Sequence, residues 1–116
     1  MVCPKMLPRE TDLTKLEEIA EEATKDKCIE IGGLEGPLMA IPKWAFEKVG
    51  YFDENLAFSF EDMDMHQRMN KGGLQTAVYH GAAVWHYGGA STSKNPIHKV
   101  GIEDNIHYRR FQKKHG

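Results

Sequence analysis

What most constrains this chain is the place of its strand-forming residues, which concentrate in one late run, LQTAVYHGAAVWHY at 74–87. β-Branched and aromatic side chains fill LQTAVYH and AAVWHY, with the bend-prone HGAA between them, so two strands are expected there. CIEIGGLEGPLMAIP (28–42) adds only two short extended pieces around a glycine-rich bend. Sheet material this sparse leaves a small mixed sheet that is not comfortable alone.

Helical spacing marks the other elements. In DLTKLEEIAEEATKDK (12–27), Leu13, Leu16, Ile19, Ala20 and Ala23 share one side, and Thr11 or Asp12 can cap the start. Pro42 suits the first turn of a helix over KWAFEKV, which Gly50 ends. SFEDMDMHQRMNKGG (59–73) predicts a third helix, with Ser59 as a capping-box-like start and Gly72-Gly73 as its stop. GGASTSKNP is loop chemistry, and IEDNIHYRRFQKKH (102–115) closes the chain as a helix with Ile102, Ile106 and Tyr108 or Phe111 turned inward. The expected fold class is therefore α/β, a small mixed sheet with about four helices.

With 116 residues, one domain over 1–116 accounts for the whole length. A net charge of -2 gives no footprint for nucleic acid, and no apolar run is long enough for a transmembrane segment. Cys3 and Cys28 lack metal-type spacing, so a reduced, cytoplasmic chain is expected, with pairing of the two left open. The basic end RRFQKKHG reads as a solubility feature rather than a docking patch.

Chemistry gathers in EDMDMHQR, residues 61–68. Acids in a first helical turn are favoured by the helix dipole, and Asp64 and Arg68 have the i, i+4 spacing of a surface ion pair. Met65 and Met69 share a face and read as core. Asp62 and His66 also stand i, i+4, which would set a carboxylate beside an imidazole. Asp62 and Asp64 cannot chelate one ion together, because helical residues i and i+2 point about 200° apart. His80 and His86 read as strand-end histidines, and Trp44 and Trp85 as packing residues, although Trp85 beside His86 can line a cleft. His98, His107 and His115 fall in the polar tail and receive no role.

The order of these segments resembles the C-terminal, acceptor-side half of family 2 glycosyltransferases with the GT-A fold. The resemblance rests on Gly36, Val49-Gly50, Phe52-Asp53-Glu54, Glu61-Asp62-Met63-Asp64, Arg68, Gly72-Gly73 and Val84-Trp85-His86. It covers residues 32–93 and continues through Asn105 and Tyr108. It implies a partial GT-A fold and transfer of a sugar from a nucleotide-diphospho-sugar to a glycan or other hydroxyl acceptor. Asp62 is then the general base, and Glu61 binds the acceptor or orients the base. His86 is a ligand of Mn²⁺ or Mg²⁺ on the donor diphosphate, while Gly36, Pro37, Leu38 and Trp85 line the acceptor side. Asp64 and Arg68 become structural. The same resemblance implies that the nucleotide-binding half with its metal-binding D-x-D is absent from these residues, because MVCPKMLPRETDL resembles the segment just C-terminal to that motif in the family. The isolated chain is then expected to be inactive, and a peripheral position at a membrane face is compatible with the family.

Two other readings compete. A folded remnant could bind a glycan or protein, or self-associate as a homo-oligomer across an exposed sheet edge. A small metal-dependent hydrolase would use Asp62, His66, His80 and His86, without any H-E-x-x-H or nucleophile-elbow signature to support it.

Overall fold

A computed structural model describes residues 1–34, 37–56, 60–88 and 106–116. Gly36, Ser59, His98, Ile102 and Asn105, named above, lie outside the described residues. Strand β1 (Val2–Met6) leads to a 3-10 turn (Leu13–Lys15) and helix α1 (Leu16–Ala23). Strand β2 (Ile29–Ile31), helix α2 (Lys43–Val49), a 3-10 turn (Glu54–Leu56) and helix α3 (Glu61–Lys71) come next. Strand β3 (Ala77–Val84) and helix α4 (Ile106–His115) complete the order. The class is mixed α/β, as expected. Among the described residues, no helix is long and apolar enough to cross a membrane.

β3 is the middle strand of a three-stranded sheet, parallel to β1 and antiparallel to β2. The two strands expected on either side of HGAA form one strand instead. The glycine-centred segment still breaks the pairing: Pro4 stands opposite Tyr79, but Lys5 stands opposite Ala83. Three residues of β3 are thus passed over in a single step of β1, an offset that lets the strand continue while bending. Gly81 sits in this offset, and a Cβ there would collide with the Tyr79 ring and its hydroxyl, so the missing side chain is what lets the tyrosine ring fold back.

The core lies between the sheet and helices α2 and α3. Met1, Cys3, Ala45, Met65, Met69 and Val78 form its buried cluster, with Met39, Phe46, Val49 and Leu74 packed around it. Met65 and Met69 are fully buried, as their shared face requires. Cys3 is buried, Cys28 is exposed, and they are not paired. Asp12 caps the first 3-10 turn, accepting from the Thr14 N–H at 3.0 Å. The apolar side expected of the first helix reaches only partial cover: no residue of α1 is buried, and Leu13 is 50% exposed. Trp44, expected to pack, is also exposed. In α4, Phe111 is the inward anchor and Ile106 is exposed.

Candidate functional site

α3 begins without a side-chain cap. Its N-cap is Phe60, whose backbone is left-handed (φ 66°, ψ 3°), the one non-glycine residue with positive φ among those described. That conformation costs of the order of 1 kcal/mol and needs outside support. Support comes from α4: the Phe60 ring lies 5.4 Å from Tyr108 and 5.6 Å from Phe111 between centroids, and Phe111 lies 4.9 Å from the His115 ring. The Asp64 N–H closes the first helical turn on the Phe60 carbonyl at 2.8 Å.

Asp64 is fully buried, which corrects the expectation of a surface ion pair. The Arg68 Nε and Nη2 both reach its Oδ2 at 3.0 Å. On the other oxygen, His115 Nε2 donates at 2.6 Å and Lys114 Nζ lies at 2.9 Å. Lys71 Nζ donates to His115 Nδ1 at 3.0 Å, which assigns the ring proton to Nε2, facing the carboxylate. Burial alone would raise the Asp64 pKa, but the hydrogen bonds from His115, Lys114 and Arg68 and the arginine charge outweigh it and lower it. The structural role expected of Asp64 and Arg68 holds. The polar-tail reading of His115 and the solubility reading of RRFQKKHG do not, because Lys114 and His115 are partners of a buried carboxylate about 50 residues away in the chain.

Arg68 has a second task. Its Nη1 donates to the carbonyls of Val49 (2.7 Å) and Gly50 (3.1 Å), and its Nη2 to that of Tyr51 (2.8 Å). These carbonyls stand at the C-terminal end of α2, where Gly50 turns the chain with φ 87°. One guanidinium thus ties the start of the FDE segment to the middle of α3. Within that segment Asp53 accepts from the Asn55 N–H at 2.9 Å and pairs with Lys114 Nζ at 3.0 Å, and its pKa is lowered chiefly by the Asn55 bond and then by Lys114.

This brace holds Glu61 and Asp62 at the head of α3. Glu61 lines a groove of about 370 Å³ with Met39, Phe52, Asp53, Glu54 and Leu56. Its Oε2 is buried and has no hydrogen-bond partner among the described residues. Asp62 is half-buried beside it and does not line that groove; its Oδ1 accepts from the Met63 N–H at 2.8 Å. Met39 also lines a second, apolar groove of about 280 Å³ along Val2, Pro4, Leu38 and Tyr79. Of the expected acceptor positions, Leu38 lines this second groove and not the one lined by Glu61, Pro37 is exposed, and Gly36 is not described.

The remaining candidates are dispersed. His66 bonds Thr76 Oγ1 through Nδ1 (2.9 Å) and Asn70 Nδ2 through Nε2 (3.0 Å), so it is engaged away from Asp62. His80 pairs with Glu30 at 3.0 Å. Trp85 donates from its indole nitrogen to the Arg9 carbonyl at 3.2 Å, and its ring meets Tyr87 edge-on; Arg9 in turn covers the Tyr87 ring at 4.7 Å. His86 is exposed between the two aromatic residues. Among the described residues no group of three His, Cys, Asp or Glu side chains could hold a metal ion, so they do not make up a metal site by themselves. The hydrolase reading, which needs His66, His80 and His86 to converge, has no such cluster among the described residues.

Compared with curated proteins, the chain is 33% identical over 66 residues to the N-acetylglucosaminyl-diphospho-decaprenol L-rhamnosyltransferase of Mycobacterium tuberculosis, in strains CDC 1551 / Oshkosh and ATCC 25618 / H37Rv alike. The match takes in 57% of this chain but spans only 22% of the length of those relatives. The similarity supports a relationship to glycosyltransferases. No family model and no solved structure matches.

Proposed function

We propose that this chain is the acceptor-side part of a nucleotide-sugar-dependent glycosyltransferase of the GT-A type and of family 2, with Asp62 as general base. Its carboxylate takes the proton of an acceptor hydroxyl as that oxygen attacks the anomeric carbon of the donor sugar. Glu61, which lines the groove, binds a further acceptor hydroxyl and orients the sugar. The observation that carries this reading is the brace itself. Phe60, Asp64 and Arg68 fix the head of α3 from three sides while Glu61 and Asp62 are left outside the network. Such a division of labour between rigid support and adjoining carboxylates is what positioning a reacting group requires.

His86 is proposed as one imidazole ligand of a donor-bound Mn²⁺ or Mg²⁺; the described residues hold no group of three such side chains around it. No step above runs through that ion. The activity itself is assayed with a donor-binding half supplied. Asp62→Asn should lower sugar transfer by about 10²–10⁴-fold with the melting temperature unchanged. Full transfer by that variant would remove Asp62 as the base. Glu61→Gln should instead raise the acceptor KM.

A second reading, self-association without catalysis, is favoured by β2, where Ile29 and Ile31 are each 61% exposed on a sheet edge. A monomer in sedimentation at millimolar concentration would remove it.

A further inference from the structure

Beside the Glu61 groove lies a cleft of about 420 Å³ lined by Asp53, Asn55, Arg110, Lys113 and Lys114. Asp53 belongs to both, so the two hollows meet at that residue. The cations of this cleft are in different states. Lys114 is spent on Asp53 and Asp64. Among the described residues Arg110 makes one bond, Nη1 to the Asn55 carbonyl at 2.8 Å, which orients the rest of its fork of donors. Lys113 is exposed and has no ion-pair partner among the described residues. α4 carries Arg109, Arg110, Lys113 and Lys114 and no acid between Ile106 and His115. An arginine held by a backbone carbonyl, with an exposed lysine three residues on, offers bidentate and point-charge donors to one anion.

We propose that this cleft is a phosphate-binding subsite, in which Arg110 and Lys113 grip a phosphoryl group of the ligand whose hydroxyl is presented to Glu61 and Asp62. The inference rests on the glycosyltransferase reading for the role of the ligand, but not for the binding itself. Phosphate chemistry fits better than a carboxylate because a phosphoryl group brings three acceptor oxygens and up to two negative charges to a cleft that Arg110 and Lys113 both line. A phosphoryl group can come from the acceptor or from the diphosphate of the donor. The position of the cleft, across Asp53 from Glu61 and among acceptor-side elements, favours the acceptor.

The test is calorimetric titration of the full chain with inorganic pyrophosphate at low salt. Saturable binding is expected, weakened about tenfold by Lys113→Ala and by Arg110→Lys, and weakened as ionic strength rises. Arg110→Lys keeps the charge and the reach to Asn55 but loses the fork, so its fold is checked by the unchanged near-ultraviolet circular dichroism of the variant. Displacement of pyrophosphate by glucose 1-phosphate supports an acceptor ligand, and displacement by uridine diphosphate but not glucose 1-phosphate reassigns the same subsite to the donor. Binding that does not saturate, or that neither substitution changes, overturns the proposal. If pyrophosphate binds as expected while Asp62→Asn retains transfer, the subsite stands and the catalytic reading falls. The opposite pair of results leaves the catalytic reading and removes the subsite.

Discussion

The α3–α4 side and the α1–β2 side of this molecule are built to different standards. On the first, a buried aspartate meets Arg68, Lys114 and His115, and Phe60, Tyr108 and Phe111 stack over the head of a helix. On the second, α1 buries no residue and β2 is three residues long with every one exposed. The difference teaches where the sequence has invested in rigidity. Long-range polar contacts and aromatic packing gather behind Glu61 and Asp62, while the opposite edge is held by a short ladder to β3 and by single contacts such as Lys5 Nζ to the Ala23 carbonyl at 3.4 Å.

The sharpest way to break this contrast is Asp64→Ala. Removing one member of a buried charge network leaves its partners uncompensated and should cost about 3–5 kcal/mol in urea unfolding. A loss under about 1 kcal/mol would mean that the brace is ornamental and the two sides are alike. Phe111→Ala comes next. It empties the space between Phe60 and His115 and should cost about 3 kcal/mol, with the head of α3 losing hydrogen-exchange protection first.

Acid should find the same side. Because the folded Asp64 carboxyl titrates below its ordinary value of 3.8, its contribution to stability is complete above that pH and is lost as pH falls through the lower, folded value. Lys114 shifts the other way, above 10.5, so its share is complete below that pH and fades only in strong alkali. Stability should therefore be flat with respect to these two groups between about pH 5 and 10 and fall in acid, and Asp64→Asn should flatten the acid limb. The smallest effect is expected on the open edge. Ile31→Thr should change stability by no more than about 0.5 kcal/mol, since the side chain is 61% exposed. A larger loss would show that β2 is covered in solution, which is what self-association predicts.

Some of this site is legible in EDMDMHQR itself. Asp64, Met65, Arg68 and Met69 stand at i, i+1, i+4 and i+5, which share one helix face, so two core methionines point an acid and a base inward with them. Read as a surface pair from the i, i+4 spacing alone, Asp64 is in fact buried, and its shared face with the two methionines is the signal that could have shown it. That face could not say which cations would meet the carboxylate. Lys114 and His115 look like any polar helix end because local sequence carries no record of a contact made about 50 residues away. Ser59 is outside the described residues, but the Phe60 N-cap departs from the expected capping box, and a left-handed phenylalanine has no propensity that would announce it.

By itself, then, the sequence determined the local alphabet: the order of the helices among the described residues, the glycine stops at Gly50 and Gly72, and the methionine face of α3. Period, capping and turn chemistry act over a few residues and can be read from them. Only the tertiary structure decided that HGAA interrupts the pairing without ending the strand, and that the first helix would remain half-covered. It also decided that a basic terminus would serve as the counter-charge of a buried acid. Those outcomes depend on which surfaces meet, and burial, which sets the strength of every charge and ring contact here, belongs to the assembled chain rather than to any segment of it.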